Sequence, residues 1–321
     1  MLTMRAMKAG LTFRLATAAL AVAAVLAGCS TNPITGRSQL IGLVSEGEAV
    51  QGSTKAYQQM MADLDKKQKL EKSGEKDSPR TQKIQQITDR LIAQAIKFRP
   101  NSASWRWEVR VIDDPKTVNA FCMAGGKMAI YTGMWEQLKA TDDELAQVMG
   151  HEISHALLDH TRERMSVARA SDVGVQILAA AAGVGNLGGQ LMQNAAVVAI
   201  GLPNSRESEA EADAVGIQLA AHAGYDPHAA VTLWDKMSKL ADGGRMEFLS
   251  THPSPENRAA KLKEFGAKLE PAYQAAKTNP PVAQRYVNLP VVRVGGSNER
   301  VVEPPLGANE RIVRPAPTSS N

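Results

Sequence analysis

The most constraining feature of this sequence is a pair of histidines four residues apart, His151 and His155, with Glu152 beside the first. In an α-helix, positions i and i+4 lie on one face, so both imidazoles can reach a single metal ion. Glu152 would then project beside that ion, where its carboxylate can take a proton from a bound water. The H-E-x-x-H spacing is typical of zinc hydrolase sites and requires this segment to be helical.

The residues around the motif predict that helix. Thr141 and Glu144 have the T-x-x-E spacing of a capping box, which marks a helix start. Apolar residues then recur at helical spacing: Leu145, Val148, Met149, Ile153, Ala156 and Leu157. The alternative reading is a pair of buried histidines satisfied by ordinary hydrogen bonds.

A catalytic zinc site normally has three protein ligands, and the acidic run at 207–213 offers the third. Glu209 and Asp213 share one helical face with Gly216 and Ala220, and these small residues let a second helix approach closely. We therefore predict Glu209 as the third ligand and Asp213 as an acceptor that orients a zinc-bound histidine. The alternative is a charged, solvated helix face. Glu207 and Glu211 are offset and are predicted to be solvated.

Taken together, the motifs resemble metallopeptidase family 48, which contains the HtpX-like proteases and the CAAX prenyl endopeptidases. H-E-x-x-H is followed by S-R-x-x-E-x-x-A-D at 205–213, and further similarity lies at 118–133 (N-A-F, then G-G and G) and at Thr251-His252-Pro253 with Arg258. The resemblance covers about residues 45–275. One departure is Ala124, where relatives commonly have proline.

The resemblance implies a predominantly helical α+β fold of the gluzincin-like zincin type, with a small sheet whose edge strand binds substrate. It also implies one Zn²⁺ per chain, held by His151, His155 and Glu209, with Glu152 as the catalytic base. His252 and Arg258 would stabilise the oxyanion of the reaction. Alternatively, His252 would occupy and block the open metal position.

The segments 118–123 and 127–132 alternate in hydrophobicity and predict two strands joined at 124–126. A strand beside the zinc helix can pair with an extended peptide through its backbone, which gives binding with little sequence preference. Asn119 and Ala120 are the predicted substrate-binding residues, although Asn119 also suits a plain turn.

The N-terminal sequence predicts that the protein is exported from the cytoplasm. Arg5, Lys8 and Arg14 precede an apolar stretch at 15–26, as in a secretory signal peptide. Residues 26–29, Leu-Ala-Gly-Cys, resemble a bacterial lipobox, which would leave Cys29 acylated; the alternative is an ordinary signal peptide. Ser30 favours sorting to the outer membrane, on its periplasmic face. Removal of residues 1–28 would lower the formal net charge from +4 to +1, which gives no support for nucleic-acid binding.

The predicted organisation is a lipoprotein signal peptide (1–28), a lipidated tether (29–44), a metallopeptidase domain (45–278) and a Pro-rich tail (279–321) whose composition favours disorder over added edge strands. Helices are expected at 46–72, 79–98, 205–223, 227–241 and 255–269, with a strand at 105–112. The uncharged segment 173–205 contains several Gly, Asn and Gln residues, so we predict two short helices near the site rather than a membrane span. His160, His222 and His228 are predicted to be structural or solvated.

The expected function is zinc-dependent endopeptidase action on unfolded or misfolded envelope proteins, with the membrane reached through the lipid anchor. One rival is an assembly factor that works with the outer-membrane assembly machinery and uses little proteolysis. A second rival is a structural lipoprotein stabilised by metal.

Overall fold

The computed structural model describes residues 29–32, 35–71, 78–182, 201–241, 247–286, 288 and 291. The strands are β1 (Cys29–Thr31), β2 (Ser38–Leu40), β3 (Glu108–Ile112), β4 (Ala120–Met123) and β5 (Lys127–Tyr131). The helices are α1 (Glu46–Lys66), α2 (Pro79–Phe98), α3 (Gly133–Glu136), α4 (Asp142–Leu157), α5 (His160–Ala182), α6 (Arg206–His222), α7 (Ala229–Ala241), α8 (Glu247–Thr251) and α9 (Arg258–Thr278). This is the predicted helix-rich α+β class.

Helix α4 is the centre of the molecule. It starts at the predicted capping box, in which Thr141 accepts from the Glu144 backbone N–H and the Glu144 side chain reaches back to the cap. Every residue from Glu144 to Leu157 is buried, because α2, α6, α7 and β4 surround the helix. A helix packed on all sides holds its polar side chains away from bulk water, which is the setting that a metal ligand set requires.

The three-stranded sheet has the order β3-β5-β4, so β3 and β4 are its edges. β5 runs parallel to β3 and antiparallel to β4, with Ala120 opposite Ile130. Gly125 and Gly126 close the β4–β5 hairpin at φ +79° and +74°, a region that L side chains rarely adopt. β4 therefore runs beside α4 as an edge strand, as predicted.

Helix α1 covers the face of the sheet that is opposite α4. Tyr57 and Met61 pack there against Phe121, Met123 and Ala129, and the Tyr57 hydroxyl donates to the Met128 carbonyl oxygen. The sheet is thus buried on both faces. Cys122 is buried and free, as expected of a small hydrophobic residue.

Several element boundaries differ from the sequence prediction. α1 ends at Lys66 rather than 72, and α9 runs from Arg258 to Thr278 rather than 255–269. The N-cap of α9 is Asn257, which lies in the left-handed region and makes no side-chain capping hydrogen bond. Residues 183–200, the larger part of the predicted pair of short helices, lie outside the described residues. Within the described residues, no helix has the length and apolar character needed to span a membrane.

The segment expected to be a tether folds onto the domain. β1 and β2 form an antiparallel hairpin, and β2 lies against α5. Asn32 and Gln39 are buried, and both side-chain amides donate to the Leu158 carbonyl oxygen. Polar side chains that satisfy the end of α4 explain why a hydrophilic segment can pack here.

The start of the predicted tail is also packed. The Gln284 backbone N–H donates to the Asp89 carbonyl oxygen on α2, and Asn288 pairs with both backbone groups of Val109 on β3. The Tyr286 ring lies 6.4 Å from that of Trp107. Residues 292–321 lie outside the described part of the chain.

Asp89, beneath this segment, makes stability depend on pH. Burial raises the pKa of Asp89 from 3.8 to about 7, against the lowering effect of Tyr286 and Arg285. Its folded-state pKa is raised, so the folded protein holds the proton more tightly than the unfolded chain. The resulting stabilisation is fully present below about pH 4 and is lost as the pH rises through about 7.

Asp89→Asn is therefore expected to raise the free energy of unfolding at pH 8 by on the order of 2 kcal/mol and to flatten its decline between pH 5 and pH 8. Urea melts at both pH values measure this. Asp235→Asn, at an exposed position on α7, is the matched control. An equal pH slope in wild type and Asp89→Asn would contradict the assignment.

Candidate metal centre

Helix α4 supplies two imidazoles and one carboxylate to a buried site. His151, Glu152 and His155 are between 2 % and 4 % exposed. The Nε2 atoms of the two histidines lie 3.1 Å apart, which places both on one side of the helix, as the i and i+4 spacing predicts.

Helix α6 brings the acidic partner. It starts at Ser205, whose side chain accepts from the Ser208 N–H, and ends before Gly224 at φ +85°. It crosses α4 at Gly150 and Gly216, where a Cβ on Gly216 would lie 2.7 Å from the His151 backbone N. This glycine pair allows the two backbones to touch and sets Glu209 against the histidines.

The three predicted ligands are spaced for one metal ion. Glu209 Oε2 lies 3.3 Å from His151 Nε2, and Glu209 Oε1 lies 3.3 Å from His155 Nε2. Tetrahedral zinc with bonds of 2.0–2.2 Å separates its ligand atoms by about 3.3–3.5 Å. Two nitrogens and one carboxylate at this spacing fit Zn²⁺.

His252 completes the cluster. Its Nδ1 lies 3.3 Å from His151 Nε2 and 2.9 Å from Glu209 Oε1, and its ring stacks on Phe248 with centroids 4.2 Å apart. His151, His155, Glu209 and His252 each offer one possible ligand atom, and these four atoms all lie within 4.8 Å of one another. His252 therefore stands where a fourth metal ligand would stand.

The Glu152 carboxylate lies beside the cluster and is short of hydrogen-bond donors. This carboxylate is buried, and Oε1 has no hydrogen-bond partner among the described residues, with Nε2 of His252 3.5 Å away. Burial raises the pKa of Glu152, while His252 and His151 act to lower it. A carboxylate that is short of hydrogen-bond donors has an open position for a water proton.

Burial and neighbouring charges shift the pKa values of the side chains in the cluster. Burial acts to raise the pKa of Glu209, but His252 and His151 outweigh it and hold that pKa far below 4.5. Burial acts to lower the pKa of His151, but Glu209 and Asp213 raise it to about 9, whereas burial holds the pKa of His155 well below 6.5. The carboxylates around the cluster thus favour a charged His151, whereas burial favours a neutral His155.

Asp213 and Arg258 lie behind the ligands. Asp213 Oδ1 accepts from His151 Nδ1 at 3.0 Å, in the orienting position predicted for it. Arg258 Nη2 donates to Asp213 Oδ1 at 2.6 Å and to Glu209 Oε2 at 3.4 Å, and its guanidinium carbon lies 3.2 Å from the centroid of the Trp234 ring. Arg258 is thus bound to the carboxylates and does not line the cavity beside Glu152.

That cavity is lined both by Glu152 and by residues of the edge strand β4. Its volume of about 20 Å³ is enough for a water molecule. Its lining residues include the predicted substrate-binding residues Asn119 and Ala120, and the full set is Asn119, Ala120, Phe121, Cys122, Glu152, His155, Arg164, Leu202, Asn204, Thr251 and His252. The Asn119 side chain accepts from the Ala120 N–H at 2.9 Å.

Sequence reasoning missed four charged or polar residues around the site. His160 is 1 % exposed, because α5 begins there in contact with His155, so it is structural rather than solvated. Glu211 is not solvated: burial acts to raise its pKa, but His160, Thr35 and Arg37 lower it to about 2. Arg37 comes from the β1–β2 hairpin, far from the motif in sequence, and burial lowers the pKa of Arg164, on α5, to about 10. No spacing pattern joins these residues to H-E-x-x-H.

The chain matches proteins of known type over most of this fold. The family model "Peptidase family M48" matches residues 78–265. Mitochondrial metalloendopeptidase OMA1 of Schizosaccharomyces pombe is 36 % identical over 189 residues, which is 58 % of this chain and 53 % of the relative. Metalloprotease LoiP of Escherichia coli is 29 % identical over 250 residues, 77 % of this chain and 94 % of the relative.

A third relative, the beta-barrel assembly-enhancing protease of Yersinia pestis, is 26 % identical over 241 residues, 70 % of this chain and 46 % of the relative. The chain spans about half or less of the length of its mitochondrial relatives. The family match includes all three predicted metal ligands, Glu152 and His252. Because it extends over more than half of the sequence, the chain belongs to peptidase family M48.

Proposed function

We propose that this protein is a zinc-dependent endopeptidase of the bacterial envelope that hydrolyses peptide bonds in unfolded or misfolded proteins. The observation that carries the proposal is the spacing of His151, His155 and Glu209 at 3.1–3.3 Å, with the Glu152 carboxylate beside them. A buried charge cluster of this composition is costly to fold unless a metal ion completes it.

His151, His155 and Glu209 would hold one Zn²⁺ per chain. When bound, zinc supplies Lewis acidity, which polarises a scissile carbonyl and makes a water molecule more acidic. Glu152 accepts the proton of that water and delivers it to the leaving amine. Asp213 orients His151, and Arg258 holds Asp213 and Glu209 in place, which favours a supporting role for Arg258 over direct oxyanion stabilisation.

Substrate would bind along β4. Asn119 and Ala120 lie at the sheet edge that faces Glu152, where an extended peptide can pair with the backbone. The present cavity holds a water and not a peptide, so the wall formed by Leu202, Asn204 and Thr251 must move for entry. A narrow entrance of this kind would select extended, unfolded segments.

The envelope location rests on the N-terminal segment. Residues 1–28 lie outside the described residues, but Cys29 is exposed at the start of β1, where an acyl anchor has room to leave the domain. We propose that Cys29 carries the lipid and holds the enzyme on the periplasmic face of the outer membrane, where multiple acyl chains give stable anchoring.

A second candidate function is assembly of outer-membrane proteins with little proteolysis. It is favoured by one observation, the similarity to a beta-barrel assembly-enhancing protease. The Glu152→Gln variant distinguishes the two functions. An assembly factor would keep its effect on envelope composition in this variant, whereas a protease would lose that effect.

Zinc content and casein cleavage test the main proposal. We expect one zinc per wild-type chain, hydrolysis of unfolded casein that a chelator removes and zinc restores, and loss of the metal in Glu209→Gln. Glu207→Gln, an exposed change on the same helix, is the control and should retain zinc. Stoichiometric zinc in Glu209→Gln would reject the ligand, and inertness of zinc-loaded wild type on several unfolded proteins would reject the protease.

His252→Ala is expected to raise basal peptide hydrolysis several-fold. His252 Nδ1 occupies the fourth vertex of the ligand set, so removing the ring frees the position that the reacting water requires. Initial rates on a short fluorogenic peptide measure the effect, with His228→Ala, an exposed histidine, as control. A large fall in rate would instead assign His252 to transition-state stabilisation.

A further inference from the structure

A series of hydrogen-bonded polar side chains starts at His155 Nδ1, the ring nitrogen that faces away from the ligand cluster. His155 Nδ1 lies 2.8 Å from His160 Nδ1, and His160 Nε2 lies 3.0 Å from Glu211 Oε2. Glu211 Oε2 also accepts from Arg37 Nε at 2.9 Å. Arg37 in turn pairs with both carboxylate oxygens of Glu163 at 2.8 and 2.6 Å.

When His160 is neutral, the donors and acceptors along these side chains can be ordered in only one way. An ionised carboxylate only accepts, so His160 Nε2 must donate its proton to Glu211. His160 Nδ1 then carries a lone pair and must accept from His155 Nδ1–H. His155 is thereby left with a lone pair on Nε2, the atom that faces His151 and Glu209.

We propose that His160, Glu211 and Arg37, here termed the His155 relay, position the His155 ring and fix its tautomer for metal binding. The inference rests on the proposed zinc site and adds three positioning residues to it. Among the described residues, the hydrogen bonds of these three side chains reach the ligand cluster only through His155. Hydrogen bonding to the second ring nitrogen is the usual way in which proteins orient a metal-bound histidine.

The relay differs from the support of the other histidine. His151 has a carboxylate directly on Nδ1, at Asp213. His155 has no carboxylate within the described residues on that nitrogen and reaches Glu211 through the imidazole of His160. The two ligands on α4 therefore depend on different parts of the fold.

Arg37 connects the relay to the N-terminal hairpin. It lies between β1 and β2, and its contact with Glu211 spans 174 positions of sequence. The Gln39 amide also donates to Glu163 Oε2 at 3.2 Å, which ties the same hairpin to α5. The hairpin that follows Cys29 is thus a structural component of the metal centre.

Zinc affinity of the full chain, measured by competition with a chromogenic chelator, tests the relay. His160→Ala is expected to weaken zinc binding by about 10- to 100-fold. His160→Asn places a carbonyl oxygen near the position of Nδ1, so it should accept from His155 and recover most of the loss. His222→Ala, an exposed histidine on α6, is the matched control and should bind as wild type does.

The Glu211→Gln variant tests the direction of the relay. It is expected to weaken zinc binding when His160 is present and to add no further loss in the His160→Asn background, because the asparagine contacts His155 without needing Glu211. The visible absorption of the Co²⁺-substituted protein should change in His160→Ala and return toward wild type in His160→Asn. A purely structural role of His160 would not produce this rescue.

The outcomes separate the relay from the zinc site itself. If wild type binds no zinc, the proposed function and the relay both fail. If wild type binds zinc and a folded His160→Ala matches it in affinity and Co²⁺ spectrum, only the relay fails. If His160→Ala does not fold by circular dichroism, His160→Asn, Glu211→Gln and their double variant decide, and full additivity of the two losses would overturn the relay.

Discussion

Glu152→Gln is expected to lower the rate of peptide hydrolysis by about 10²- to 10⁴-fold, the usual contribution of a general base. The amide has nearly the same size and shape as the carboxylate but cannot accept the proton of the attacking water. Glu152 is not among the spaced ligand atoms, so zinc content should stay at the wild-type value. Casein hydrolysis and zinc content, measured on the same preparation, test both halves of the prediction.

Glu264→Gln, an exposed glutamate on α9, controls for the chemical change alone and should leave the rate unaltered. Equal casein hydrolysis by Glu152→Gln and wild type would remove Glu152 from the mechanism. Loss of zinc together with activity would assign it to the metal ligands instead.

Gly216→Ala is expected to destabilise the protein by about 1–3 kcal/mol, as overpacking of a well-filled interface does. The new Cβ would lie 2.7 Å from the His151 backbone N and 2.8 Å from its Cα, and a helix backbone cannot yield as a flexible side chain can. The helices α4 and α6 must separate, which moves Glu209 away from His151. Zinc affinity should therefore fall together with the free energy of unfolding.

Gly47→Ala is the matched control for that substitution. Gly47 is an exposed helical glycine on α1, and a Cβ there has no atom within 4 Å. The same change should stabilise α1 by up to about 1 kcal/mol, through helix propensity, and leave zinc affinity unaltered. A Gly216→Ala protein with wild-type stability and zinc affinity would show that the helix crossing tolerates greater separation than its geometry indicates.

The sequence allowed prediction of those parts of the site that local patterns determine. Helical periodicity and the Thr141–Glu144 capping box located α4, and the small residues Gly216 and Ala220 marked the face of α6 that approaches it. The placement of Glu209 at the ligand position follows from that close approach. Helix geometry and capping depend on local sequence, so both features can be predicted without tertiary information.

The residues that could not be predicted are those that meet only after folding. His160 lies at the first position of α5, where sequence gives no indication of burial, and its partner Glu211 has the same local pattern as the exposed Glu207. Arg37 reaches them from a polar hairpin. Hydrogen bonds between residues 51 to 174 positions apart leave no periodic trace, so their prediction requires the packed structure.

Both ends of the domain make contacts that the sequence did not indicate, for a related reason. Residues 29–40 are poor in apolar residues and residues 279–321 are rich in proline, which favoured a tether and a disordered tail. Their contacts are instead made by side-chain amides to backbone groups, such as Asn32 and Gln39 to Leu158 and Asn288 to Val109. Hydropathy does not detect this kind of docking, because its energy comes from satisfying backbone groups that are already buried.

The two edges of the small sheet have a consequence for how the protein survives at high local concentration. An edge strand with free backbone groups is a template on which copies of a chain can add to one another and aggregate. Asn288 occupies the backbone groups of Val109 on β3, and β4 lies wholly buried within the cleft. In the described part of the chain, β4, the strand proposed to bind an extended peptide, is thus buried where the sheet of a second folded copy cannot pair with it.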